Sequence, residues 1–148
     1  MLIKALTLWP PWGQFMAKGL KKIETRSWYT AYRGPLAIHS AARIYRKEIP
    51  PEVYELAIKT LGPEHQWQLG KILCIVNLTE CLKTAHVNPN KLERMLGNYE
   101  PGRYAWCTSM IEVFQKPVVA RGMQRMWEWQ WDKSKITEIP KGQMELFG

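Results

Sequence analysis

Gly19-Leu20-Lys21-Lys22-Ile23-Glu24-Thr25-Arg26-Ser27-Trp28 joins a helix stop to a strand that carries ionisable groups at close spacing. Glycine accepts the left-handed backbone with which helices commonly end. Gly19 therefore closes a short helix that Pro11 opens and that Trp12, Phe15 and Met16 carry on one face. A strand is predicted over residues 22–28, and its period of two puts Ile23 and Thr25 on one face and Glu24 and Arg26 on the other. Lys21 is expected at the mouth of that strand, so that two cations and one carboxylate converge.

On the N-terminal side, residues 2–8 alternate as a first strand that Trp9-Pro10-Pro11 stops. On the other side, Gly34-Pro35 marks a turn before a central strand at residues 36–40. Pro50 and Pro51 precede a helix over residues 52–61, with Val53, Leu56, Ala57 and Thr60 at helical spacing and Gly62-Pro63 as its end. Residues 70–84 read as a long apolar strand bent at Asn77 or Thr79, and a helical turn is expected at 91–96. Residues 103–113 and 117–121 read as two strands joined across 114–116, and Trp127-Glu128-Trp129 as a short edge. Five to six strands with two or more helices imply an α+β fold, a partly closed β-barrel with the helices packed at its ends. One domain is expected over residues 1–131, with 132–148 as a polar tail.

Composition narrows the function classes. The 148 residues suffice for one self-supporting core. The most continuous apolar run, Ile72 to Val76, falls far short of the roughly 20 residues that cross a bilayer, so no membrane partner is expected. The first residues lack a secretory pattern, which predicts a cytoplasmic protein. Cys74, Cys81 and Cys107 are too widely spaced for a thiolate zinc site and read as small buried hydrophobes; no metal and no cofactor are expected. Lys and Arg number 21 against 13 acids, a net charge of +8, which suits a polyanionic partner. Eight tryptophans exceed what the core needs, and an indole beside a cation is a platform for a base.

The 19–28 segment resembles the signature of the ASCH family, in which a glycine ends the first helix and a Lys-x-x-Glu-x-Arg pattern enters the next strand. Trp9-Pro10-Pro11-Trp12 fills the place of the family's upstream Trp-Pro segment. Tyr32-Arg33-Gly34-Pro35 followed by Ala37-Ile38-His39-Ser40 looks like its Tyr-x-Gly turn and strand. Tyr104-Ala105-Trp106, then Arg121-Gly122-Met123-Gln124 and Trp127, match its C-terminal pattern. The resemblance implies a PUA-like barrel with a cleft beside the first helix, lined by Lys21, Glu24 and Arg26. It also implies a link to RNA metabolism, transcriptional coactivation or enzyme activity on nucleosides or RNA.

Two readings of the Lys21-Glu24-Arg26 trio stand side by side. One is a salt-bridge cluster that closes the barrel end and adds little net stability. In the other, Arg26 and Lys21 hold a phosphate or a polarised carbonyl while Glu24 orients Lys21 or accepts an amino proton from a base. Small ASCH amidohydrolases acting on acetylated cytidine use a Lys, a nucleophilic Thr and a Glu. Lys21 matches the lysine, but the threonine position falls on Glu24, whose attack would yield an anhydride, and Thr25 points to the opposite face. Glu80 or Glu93 are candidates for the further acid. Ribonuclease chemistry would draw on Lys21, Arg26, Tyr32 and His39, although a lone histidine in a central strand reads first as a hydrogen-bonded core residue.

Trp9, Trp28, Tyr104 and Trp106 are candidates to stack a flipped or single-stranded base, whereas Trp12 sits at a core position. Arg33, Arg43, Arg46 and Lys47 form a basic run suited to a backbone. In the tail, Gln143, Leu146 and Phe147 resemble the short peptide by which bacterial replication proteins hold the sliding clamp. The expected function is binding of single-stranded RNA or a modified nucleobase. The alternative is a hydrolase on the same cleft, either an amidohydrolase of acylated cytidine nucleosides or a ribonuclease.

Overall fold

The computed structural model describes residues 1–132, so the clamp-like Gln143, Leu146 and Phe147 lie outside the described residues. In chain order the elements are β1 (Leu2–Leu8), α1 (Trp12–Ala17), β2 (Ile23–Arg26), β3 (Gly34–Ser40), α2 (Pro51–Leu61), β4 (Lys71–Lys83), α3 (Lys91–Met95), β5 (Tyr104–Val119) and β6 (Met126–Gln130). The strands form one six-stranded sheet in the order β2-β5-β4-β3-β1-β6. β1 and β3 run parallel, and every other neighbouring pair is antiparallel. β4 and β5 lose register between Ile72 and Cys74, between Ile75 and Val76, and between Leu78 and Glu80. Such bulges bend and twist a sheet, so the two long strands curl it without closing it. The result is the expected α+β fold, a partly open barrel consistent with a PUA-like architecture.

Alternation along β1 shows how the sequence buries both faces. Leu6 and Leu8 join Leu36, Ile38, Val76, Leu78 and Trp106 inside the curl. Ile3 and Ala5 join Ala37, Ile72, Ile75, Phe114 and Trp127 on the opposite face. A third cluster seats α2 through Val53 and Ala57 on Phe15, Trp67 and Leu96. Each large aliphatic side chain so buried contributes about 1.5–3 kcal/mol. Cys74 is one of the small fillers, and burial pushes its thiol up to about 12. Among the described residues no helix is long and apolar enough to cross a membrane.

Two strand boundaries differ from the sequence reading. β2 runs only from Ile23 to Arg26, and at its start the Glu93 carboxylate takes the amides of Lys22 (3.0 Å) and Ile23 (2.8 Å). Residues 103–113 and 117–121 are one strand, β5, rather than two. Val113 pairs with Cys74 and Val118 with Ile72, so residues 114–117 bulge past a single β4 residue while Phe114 packs inward.

His39 settles into this framework as a buried, hydrogen-bonded residue. Its Nε2–H donates to the Ala120 carbonyl at 2.7 Å, which leaves Nδ1 to accept from the Thr7 hydroxyl at 3.1 Å. Trp127 Nε1 in turn donates to Thr7 Oγ1. A side chain at Gly122 would strike this group, since its Cβ would lie 2.6 Å from the imidazole.

Burial holds the His39 pKa below its ordinary 6.5, against the pull of its carbonyl partners. The unfolded chain therefore binds a proton that the folded one resists, so stability is full above about pH 6.5 and is lost as pH falls toward the depressed folded value. Thermal melts between about pH 7 and pH 5 should show this decline, and His39→Asn, less stable at neutral pH, should show a flatter one. Equal pH slopes in the two proteins would refute the assignment.

Candidate functional site

The sheet's open seam creates the site. At one edge β2 curls round to face the end of β1, and a cleft of about 610 Å³ lies between them, walled by Trp9, Trp12 and Trp28 and bordered by Glu48, Asn98 and Arg103. In the β2–β5 ladder Glu24 stands opposite Trp106 and Arg26 opposite Tyr104, so the two charged side chains share the face that looks into the barrel. Arg26 Nη2 donates to the Thr7 carbonyl at 3.1 Å and spans the seam where no strand pairing does.

The three signature residues do converge, but in a different order of depth from that expected. Lys21 is not at the mouth: its side chain is 0% exposed, against 12% for Glu24 and 25% for Arg26. Gly19, at φ +78°, turns the chain out of α1, and the amides of Leu20 (2.9 Å) and Lys21 (3.3 Å) both bond back to the Phe15 carbonyl. That tight turn sends the lysine inward. Its ammonium donates to the carbonyls of Ile23 and Leu96 (2.8 Å) and lies 3.4 Å from Glu24 Oε1. Two of its three protons are thus spent on carbonyls, and the charge is balanced by the nearby Glu24 carboxylate. The other oxygen of Glu24 accepts from Arg26 Nε at 3.0 Å. The carboxylate is thus held at both ends, and the trio carries one excess positive charge toward the cleft.

The remaining candidates separate into those at the cleft and those elsewhere. Trp9 is 49% exposed and stacks on Tyr45 at 4.5 Å. Trp28 is half-buried, with the Arg125 guanidinium 4.3 Å over its ring. Trp106, expected as a stacking surface, is 0% exposed: it fills the barrel interior, meets Trp28 edge-on at 4.6 Å and donates to the Trp28 carbonyl. No base can reach it, because Cys81 and Leu78 close the interior round it. Tyr104, Tyr32, Arg33 and His39 do not line the cleft. Tyr104 meets Tyr29 at 5.8 Å, and the Tyr32 hydroxyl fastens the turn at Pro35. Arg33 donates to the carbonyls of Thr30 and Tyr32, both at 2.8 Å.

Of the basic run, Arg43 and Lys47 are exposed, but Arg46 is bound through two nitrogens to Glu64 at 2.9 and 2.6 Å. Glu93 is spent on the amides before β2, and Glu80 is exposed on β4 away from the cleft. Thr25 faces away from Glu24, its hydroxyl accepting from the Asn98 amide at 2.8 Å. Among the described residues no group of three His, Cys, Asp or Glu side chains could hold a metal ion.

Sequence reasoning missed Glu48, Asn98 and Arg103. They come from two segments, Glu48 from the turn before α2 and Asn98 and Arg103 from the connection between α3 and β5, and no spacing links them to the signature. Arg103 is held by the carbonyls of Asn98 (3.1 Å) and Thr25 (3.4 Å), which fixes a second cation at the rim.

Comparison with known proteins identifies the family. A family model described as ASCH domain matches residues 6–133. Over 84 residues, 52% of the chain, the sequence is 34% identical to Activating signal cointegrator 1 of Homo sapiens, and 32% identical to its Mus musculus counterpart. The matched span is 14% of the length of either relative.

Removing the Lys21 ammonium would leave two carbonyls without its bonds and take the buried ion-pair partner from Glu24. Lys21→Met should therefore lower folding stability by about 3 kcal/mol in chemical denaturation. An unfolding midpoint equal to that of the unaltered protein would show that the ammonium is not a structural tie.

Proposed function

The chain belongs to the ASCH domain family, and we propose that its cleft captures an unstacked base, from single-stranded RNA or as a modified nucleobase, in the cytoplasm. The observation that carries this reading is the presence of indoles and linked charges in one cleft: Trp9 and Trp28 line it together with the paired Glu24 and Arg26. A base face gains about 1–3 kcal/mol on an aromatic side chain. Its edge would meet the Arg26 guanidinium, whose Nε and Nη2 are already oriented by Glu24 and Thr7, and the spare lone pairs of the Glu24 carboxylate. Arg103 at the rim, with Arg43 and Lys47 beyond, suits the adjoining phosphates.

Hydrolysis is less well supported. A catalytic lysine must reach its substrate, and the Lys21 side chain is fully buried, its ammonium bonded to two carbonyls and ion-paired with Glu24. Glu24 occupies the place of the amidohydrolases' threonine. Ribonuclease chemistry loses two of its candidates, since His39 and Tyr32 are committed to the fold.

Fluorescence anisotropy with single-stranded RNA, single-stranded DNA and duplex across a salt series tests the reading. Single strands should bind more tightly than duplex, with affinity falling as salt rises, and Trp9→Ala should weaken RNA binding about tenfold. The oligonucleotide should remain intact on a denaturing gel. Absence of binding to any strand, or cleavage by the purified protein, would count against a binding cleft.

A further inference from the structure

The turn that follows β2 displays aromatic and cationic groups that neither the core nor the cleft uses. Tyr29, one residue beyond the cleft-lining Trp28, is 53% exposed and joins none of the buried clusters. Its ring is met edge-on by Tyr104 at 5.8 Å, and the Arg33 guanidinium lies 5.9 Å from its centroid. A lone exposed tyrosine is ordinary. A tyrosine held in place beside an oriented guanidinium is a different matter, because its ordering costs nothing further when a ligand arrives.

The turn is fastened at several points. Trp106 donates to the Trp28 carbonyl at 3.3 Å, and Thr30 is buried with its hydroxyl accepting from the Tyr32 amide at 3.1 Å. The Tyr32 hydroxyl closes onto Pro35. Arg33 spends only its Nη1 on the carbonyls of Thr30 and Tyr32, and among the described residues it makes no ion pair. Its Nε and Nη2 edge thus remains for an anion. A π-face and an unspent guanidinium edge, one residue from a cleft suited to a base, match the chemistry of the next nucleotide along a strand: a base to stack and a phosphate to hold.

From this we infer that Tyr29, supported by Tyr104 and flanked by Arg33, forms a second nucleotide subsite, so that the ligand is a single-stranded polynucleotide and not a free nucleoside. This rests on the cleft reading proposed above. One base enters between Trp9 and Trp28, while its neighbour stacks on Tyr29 with the adjoining phosphate on Arg33. Neither group reads a sugar, so RNA and DNA single strands engage it alike.

The test compares a mixed-sequence RNA hexamer, its DNA counterpart and the four free nucleoside monophosphates against three proteins. The unaltered protein should bind either hexamer at least about tenfold more tightly than a monophosphate. Tyr29→Ala with Arg33→Ala should lose that excess on both hexamers and keep its monophosphate affinity within about twofold. Tyr29→Phe, which preserves the π-face, should retain it, and this separates stacking from any damage to the turn. A double variant that keeps the hexamer advantage overturns the subsite and leaves the cleft reading standing. Failure of the unaltered protein to bind hexamer or monophosphate overturns both.

Discussion

An ammonium taken out of water needs compensation, and Lys21 finds it in hydrogen bonds to the Ile23 and Leu96 carbonyls and an ion pair with the Glu24 carboxylate. Those partners belong to β2 and to the segment after α3, and the lysine itself leaves α1 through the Gly19 turn. One buried charge thereby ties three parts of the chain that the sheet's own ladder does not connect. The cost of leaving it unpaired, several kcal/mol, fixes where β2 sits. The β2–β5 register points Glu24 and Arg26 into the barrel, and Lys21 and Arg26 each hold one oxygen of the Glu24 carboxylate, so the guanidinium's position is linked to the lysine beneath it.

Arg26 then does for the seam what a seventh strand would do for a closed barrel. β2 lies at the edge of the sheet, and its guanidinium reaches the Thr7 carbonyl on β1. A backbone ladder there would fill the gap, whereas a single side-chain bridge leaves room for about 610 Å³ of cleft with polar groups at its base. Thr7 is shared between this bridge, through its carbonyl, and the His39–Trp127 network, through its hydroxyl. The binding seam and the far face of the sheet therefore meet on one residue of β1.

Much of the fold was legible because hydrophobic period and turn chemistry agree locally. Gly19, Pro51 and Gly62 bound their helices as their backbone preferences dictate, β1 follows its expected alternation, and β3 and β4 are the apolar strands expected. Where the reading failed, a tertiary contact had overridden a local pattern. Glu93, from α3, takes the amides at the start of β2, and Phe114 pulls a bulge inward and joins two predicted strands into one. In the site, Glu24 and Arg26 sharing a face followed from the period of two. The depth of Lys21 did not, because it depends on Leu96, far away in sequence. Trp106 and Trp9 look equally available as letters; only the curl of β5 makes one a core residue and leaves the other at the rim.

A lysine bonded to two buried carbonyls and paired with a carboxylate serves as a tie, whereas one that reacts with a ligand must release at least one of these contacts. This difference can be observed directly in the side-chain ammonium resonance of Lys21 by proton–nitrogen NMR, with and without a single-stranded oligonucleotide. The account predicts a slowly exchanging Lys21 signal that persists on binding, while the Arg26 guanidinium and the Trp9 and Trp28 indole signals shift. A Lys21 signal that is absent from the free protein, or that is lost or displaced when ligand binds, would contradict it.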